Sequence, residues 1–168
     1  MKNVLMSLVA ASLAVFAVAS TAQEPMQGSL TPTNAFSGQS EGNGTLKIFL
    51  GRERPYRVES LGVTETDGRF RLDQTVVFLG EPTRSRTWLI TESSPDHYSG
   101  SLSDAAGPVT GETSGRRLML RYRLKGPLVM HQTLELMADG KTIDNTGHIT
   151  VLGIPVGWLH ETIKRKTA

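Results

Sequence analysis

The residues able to carry chemistry in this chain are few. The four histidines are His97, His131, His148 and His160. None stands in the His-x-x-x-His spacing that brings two imidazoles onto one metal, and without cysteine a structural zinc site has no thiolate to use. No metal and no cofactor is therefore expected. His148 is the most suggestive of the four, because it shares a segment with Asn145 and Thr146. The same side chains would equally serve as hydrogen-bonding groups along a strand. Asp104 lies in Ser-Asp-Ala-Ala-Gly-Pro, which suits an acid capping a turn and also a pocket carboxylate. No Gly-x-Ser-x-Gly elbow is present, and Ser99 has no activating neighbour. The glycines at 100, 107, 111 and 115 lack the strand–loop–helix setting of a phosphate cradle. Were the chain an enzyme, Asp104, Asn145 and His148 meeting at one site would be its candidate centre. No motif specifies a reaction.

Arginine supplies 12 of the 18 basic residues, against 16 acids. A near-balanced charge lacks the clustered basic excess of a nucleic-acid footprint, so no nucleic acid is expected as a partner. Arg69 and Arg71, Arg84 and Arg86, and Arg121 and Arg123 stand two apart, which places each pair on one face of a strand. They could form ion pairs with Asp73, Glu59 or Glu135 on neighbouring strands. They could also form an arginine ladder for anionic lipid headgroups or an envelope protein, since a guanidinium binds phosphate and carboxylate in bidentate fashion.

The elements that must position these groups are strands. Phe70, Leu72, Gln74, Val76 and Phe78 fall on one face, with Arg69, Arg71, Asp73 and Thr75 opposite. Leu118, Leu120, Tyr122 and Leu124 form a second such face, and Met130, Gln132, Leu134 and Leu136 a third. Arg86, Trp88 and Ile90 alternate with Thr87 and Leu89. One apolar and one polar face describe antiparallel strands packed on a single core. Asp67-Gly68, Gly80-Glu81-Pro82, Ser94-Pro95-Asp96, Ser114-Gly115, Lys125-Gly126-Pro127 and Asp139-Gly140 separate the runs as turns. The expectation is an all-β protein of eight to ten antiparallel strands. A closed barrel that removes exposed edges is favoured over a sandwich. Gly157 to Lys166 reads as a short terminal helix or a last strand.

The first residues read as a processing signal. Lys2 precedes an apolar run from Val4 to Ala19, and Ser20 and Ala22 suit a cleavage site after Ala22. This leaves a mature chain of about 146 residues, an ordinary single-domain length. Residues 23–35, with Pro25 and Pro32 and no periodicity, read as a flexible lead, and residues 36–168 as one barrel domain. No later segment is long and apolar enough for a transmembrane helix. Without cysteine there is no residue for lipid attachment, so a free periplasmic or secreted protein is expected.

One family resemblance runs through most of the chain. Phe36-Ser-Gly38, Glu41-Gly-Asn-Gly44, Gly80-Glu81, Arg86-Thr-Trp88 and Tyr98-Ser-Gly100 come first. Asp104, Gly107, Gly111, Gly115 and Arg121-Tyr122 follow. The pattern ends with Met137-Ala-Asp-Gly140, Asn145 and Gly153-Ile-Pro-Val-Gly157. In order and spacing these resemble the bacterial domain of unknown function 3833. The resemblance implies a small exported protein with a lipocalin-like barrel, and it supplies no catalytic residues. Members are often described as lipoproteins, but this chain lacks their cysteine. It also has Asn43 and Glu135-Leu136 where tryptophan-containing motifs are expected, which bears on any shared aromatic pocket.

A barrel interior lined by Phe70, Leu72, Phe78, Trp88, Leu120, Tyr122, Leu134 and Leu136 would hold a small apolar or lipid-like ligand. Gln74, Gln132 and Asn145 would orient it. Trp88, Tyr122, Gln132, Asn145, Asp104 and His148 are the candidate ligand-binding residues. The same large side chains would equally fill a closed core. The other reading is a non-catalytic envelope protein that works through its arginine-rich exterior.

Overall fold

Alternating side chains with frequent turns leave each strand one apolar face to bury, and closing the sheet on itself buries all of these faces together. The computed structural model describes residues 28–166. The expected signal segment and residues 23–27 of the expected lead lie outside the described residues. The first five strands are β1 (Gly38–Ile48), β2 (Arg54–Thr64), β3 (Phe70–Phe78), β4 (Arg84–Ser94) and β5 (His97–Leu102). The rest are β6 (Val109–Ser114), β7 (Arg117–Arg123), β8 (Leu128–Leu136), β9 (Thr142–Val151) and β10 (Ile154–Arg165). Each strand pairs antiparallel with the next, and β1 closes the ring on β10. The fold is a ten-stranded, lipocalin-like antiparallel barrel, and the ambiguous C-terminal segment is its longest strand.

The expected faces point inward. Phe70, Leu72, Trp88, Leu118, Leu120, Tyr122, Met130, Leu134 and Leu136 are all buried in one core. Phe78 is partly buried near one end, packed on Tyr56 at 5.3 Å between ring centroids. The turn glycines Gly68, Gly80, Gly115, Gly126 and Gly140 all have positive φ, as their turn positions require. Among the described residues no helix is long and apolar enough to cross a membrane.

The expected flexible lead is corrected over its described part. Residues 28–35 do not trail away, because Leu30 and Ala35 are fully buried. A short helix, α1 (Pro32–Phe36), starts with proline and is capped by a reciprocal pair between Thr31 and Asn34. Leu30 is tied to the β6–β7 hairpin: its N–H donates to Gly115 O (2.8 Å), and its carbonyl accepts from the Thr113 hydroxyl (3.0 Å). The segment plugs one end of the barrel. Gly62 makes this possible, since a Cβ there would lie 2.1 Å from the Phe36 carbonyl oxygen.

The β8–β9 turn yields a prediction. The Asp139 carboxylate accepts from the Thr142 hydroxyl (2.6 Å) and from the N–H groups of Lys141 (3.0 Å) and Thr142 (2.9 Å). These bonds favour the ionised form, the Thr142 hydroxyl bond most strongly, and lower its pKa to about 2. The unperturbed value is 3.8, so the turn's contribution is complete above that pH and is lost as pH falls through about 2. An NMR titration should place the Asp139 midpoint near 2. A midpoint at the unperturbed value would mean the turn is not held this way.

Candidate functional site

An antiparallel barrel turns every second residue of every strand into one interior, so polar residues at inward positions meet there even when far apart in sequence. Two hydrogen-bonded chains result. Across β7 to β10, Tyr122 OH donates to Gln132 Oε1 (2.8 Å), and Gln132 Nε2 donates to Asn145 Oδ1 (3.3 Å). Asn145 Nδ2 then donates to Glu161 Oε2 (2.9 Å). Every donor points the same way, and the chain ends on the carboxylate. Across β2 to β4, Gln74 Nε2 donates to Ser60 Oγ (3.0 Å), while Gln74 Oε1 accepts from Trp88 Nε1 and Arg86 Nε, both at 2.8 Å. Trp88 joins the two chains by packing edge-on against Tyr122, with ring centroids 5.2 Å apart.

On β1, between the chains, the inward positions are Ser40, Gly42 and Gly44. The glycines are needed for space. A Cβ at Gly42 would lie 1.9 Å from Glu161 Oε1, and one at Gly44 would lie 2.4 Å from the His160 carbonyl oxygen and 2.8 Å from the Tyr56 hydroxyl. The absent side chains leave room for the Glu161 carboxylate and the Tyr56 ring. Ser40 Oγ is buried without a hydrogen-bond partner among the described residues, and Tyr56 OH, also buried, interacts with the Glu161 carboxylate short of good hydrogen-bond geometry. Orphaned hydroxyls are uncommon in protein interiors.

The electrostatics follow from burial. Glu161 is 6% exposed, and desolvation raises its pKa, opposed by the Asn145 hydrogen bond, by Arg86 and by Tyr56. Tyr122 is pushed up to about 12, mainly by burial. Burial also raises Tyr56, and the nearby Glu161 charge adds to the effect. The belt is therefore mostly neutral donors and acceptors around one carboxyl that ionises reluctantly, and among the described residues Arg86 is the one cation lining the cavity.

The open space in this interior is small. A cavity of about 30 Å³ is bounded by Gln74, Arg86, Gln132, Asn145 and Glu161 on its polar side and by apolar residues that include Leu72, Leu118 and Ile163. Pro32 and Phe36 of α1 close it. Room for one or two waters is all this provides, against roughly 300 Å³ or more for a usual small-molecule pocket. With α1 seated, the large side chains fill the barrel, and no lipid fits.

Of the six candidate residues, Trp88, Tyr122, Gln132 and Asn145 come together in the belt. Asp104 and His148 do not join them. Asp104 is exposed in the β5–β6 loop at the barrel rim, and His148 is exposed on the outer face. There His148 stacks on His131, its cross-strand partner, with centroids 4.8 Å apart. Asp104, Asn145 and His148 thus occupy rim, interior and exterior, and the catalytic centre they would have formed does not exist. The outer arginines mostly meet acids: Arg71 with Asp73 and Glu65, Arg117 with Glu135, and Arg57 with Glu41 and Glu59. Among the described residues no cluster of three or more metal-ligating side chains occurs.

Sequence reasoning missed Glu161, Tyr56, Ser40 and Ser60, and it treated Arg86 as part of an arginine ladder. The available signal was alternation: Gly157, Leu159, Glu161 and Ile163 share a face, as do Arg86, Trp88 and Ile90.

The barrel is similar to solved structures at low identity, which speaks to fold alone. An S-type phycobiliprotein lyase, CPES, from Guillardia theta superposes with a TM-score of 0.63 at 8% identity, covering 79% of this chain and 89% of that one. A protein of unknown function from the DUF3598 family of Nostoc punctiforme gives 0.54 at 14% identity, covering 85% of this chain. This chain spans only 50% of that protein. No curated protein matches. The model of a family described as a protein of unknown function, DUF3833, matches residues 8–165, and the chain belongs to that family.

Proposed function

We propose that this is an exported binding protein, periplasmic or secreted, whose barrel takes up one small amphipathic molecule when α1 lifts. The apolar part of the ligand replaces Pro32 and Phe36 against Leu72, Leu118 and Ile163. Its polar part meets Gln74, Arg86 and Glu161. The observation that carries this reading is the belt itself. A core that served only stability would be filled with apolar side chains, whereas here a buried carboxyl, three amides and an unpartnered serine hydroxyl face the barrel centre. The barrel shape shared with a phycobiliprotein lyase is compatible with an interior ligand.

Loosening the plug tests the proposal. In a Trp158→Phe background, Trp88 is the only remaining tryptophan and reports from inside the barrel. Uptake of cis-parinaric acid, an amphipathic fluorescent fatty acid, is followed by energy transfer from Trp88. Adding Gly62→Ala drives α1 from its seat and should speed uptake several-fold while the barrel stays folded. Uptake with the same rate and extent in both proteins would show that α1 does not gate the interior.

A further inference from the structure

Five turns and loops crown the barrel end opposite α1. Three of them are neighbours: β9–β10, β1–β2 and β3–β4. They are locked side by side, because Phe49 N–H donates to Val156 O (2.7 Å) and Arg54 pairs with Glu81. Their tips carry Leu152, Leu50 and Leu79, which are 90%, 91% and 88% exposed. Phe49 and Ile154 beside them are also largely exposed. Scattered exposed leucines are ordinary, but three adjacent hairpins each ending in one form a contiguous apolar crest.

The backbone makes chance a poor explanation. Leu152 and Gly153 take φ of 49° and 82°, positive at both central turn residues, where asparagine–glycine is the favoured pair. Phe49 also has positive φ, at 25°. Bulky residues disfavour this conformation, and here strain holds apolar side chains out in water. The surrounding charge is complementary to an anionic surface. Lys47, Arg52, Arg54 and Arg84 flank the crest against Glu53 and Glu81. Lys47 and Arg52 are exposed and have no acidic partner among the described residues.

We propose that this crest docks the barrel end-on to an anionic lipid surface, with the three leucines entering the interface and the cations meeting headgroup phosphates. Docking of this kind is independent of what the interior holds. It would bring the barrel to a membrane surface through its own loops.

Vesicle co-sedimentation of the processed protein tests this. Vesicles of phosphatidylglycerol with phosphatidylethanolamine should bind it more tightly than phosphatidylcholine vesicles. Each leucine should contribute on the order of tenfold, so Leu50→Ser/Leu79→Ser/Leu152→Asn should weaken partitioning by about a thousandfold. Lys47→Glu/Arg52→Glu should reduce binding to the anionic vesicles by about tenfold or more and leave phosphatidylcholine binding unchanged. Leu152→Asn alone should raise the melting temperature, because asparagine accepts positive φ, and this separates docking from folding. The proposal is overturned if the wild type ignores both kinds of vesicle, or if the leucine variant binds as the wild type does. Self-association abolished by the leucine variant, without vesicle binding, would equally overturn it and assign the crest to a second copy of the chain.

Discussion

Trp88→Ala is expected to lower the stability of the barrel by about 3–5 kcal/mol, the usual cost of truncating a buried large aromatic. Trp88 is 4% exposed and joins the two halves of the belt through its Tyr122 contact and its bond to Gln74. Its loss opens a cavity next to the existing one and leaves Gln74 Oε1 with Arg86 alone. A domain with a typical stability of about 5–15 kcal/mol would become marginal. Trp88→Phe separates packing from the hydrogen bond and should cost about 1–2 kcal/mol. Urea unfolding followed by circular dichroism measures both. A loss below about 1 kcal/mol for Trp88→Ala would mean that neighbouring groups collapse into the space and that the belt is not rigid.

The second large effect is at Glu161, where two substitutions should act in opposite directions. Glu161→Ala removes the acceptor at the end of the Tyr122–Gln132–Asn145 chain, leaves Asn145 Nδ2 without an acceptor, and should cost about 2–4 kcal/mol. Glu161→Gln keeps the shape. Its oxygen still accepts from Asn145, and its amide can donate to the Tyr56 hydroxyl beside it. The pH dependence fixes the sign. Burial raises the Glu161 pKa above the unperturbed 4.5, so the folded protein holds this proton more tightly than the unfolded chain does. The associated stability is fully present below the unfolded value and is lost as pH rises through the folded one. Glu161→Gln should therefore be more stable than the wild type at neutral pH, by about 1 kcal/mol, and should lack this loss. Thermal melts of both proteins from pH 3 to 8 test it. A wild type that gains stability through this window because of Glu161 would contradict the burial argument. A carboxyl kept where an amide folds better is what a binding site requires and a structural core does not.

Much of the barrel was legible because its physics is local. Period-two alternation identified the inward faces of β3, β7 and β8, and glycine or aspartate turn chemistry marked most of the hairpins. Gln74, Gln132 and Asn145 stood out as amides on those faces or in a predicted strand, and all three lie in the belt. Glu161 did not stand out. Its strand opens with Pro155 and a bulge, and its neighbours His160 and Thr162 blur the alternation, so the segment read equally as helix or strand. Its role also depends on Gly42 and Gly44, more than 100 residues away, whose missing side chains make room for it. That is a tertiary fact. The α1 plug did have a local signal, Thr31 followed by Pro32, but five residues are too few to show helical periodicity. The hairpin at Leu152-Gly153 was hidden because leucine stands where turn chemistry calls for asparagine. His148 misled in the opposite way: it is three residues from Asn145, and odd spacing puts the two on opposite faces of β9.

The central claim is that the barrel interior is a site and not only a core. Native mass spectrometry of the protein purified from its own compartment, with organic extraction of whatever accompanies it, tests that claim most directly. The account predicts one discrete added mass per chain, released by solvent and identified as an amphipathic molecule, on the wild type and not on Trp88→Ala. A bare mass that persists after incubation with an envelope lipid extract would contradict it, and would make the belt a costly piece of core.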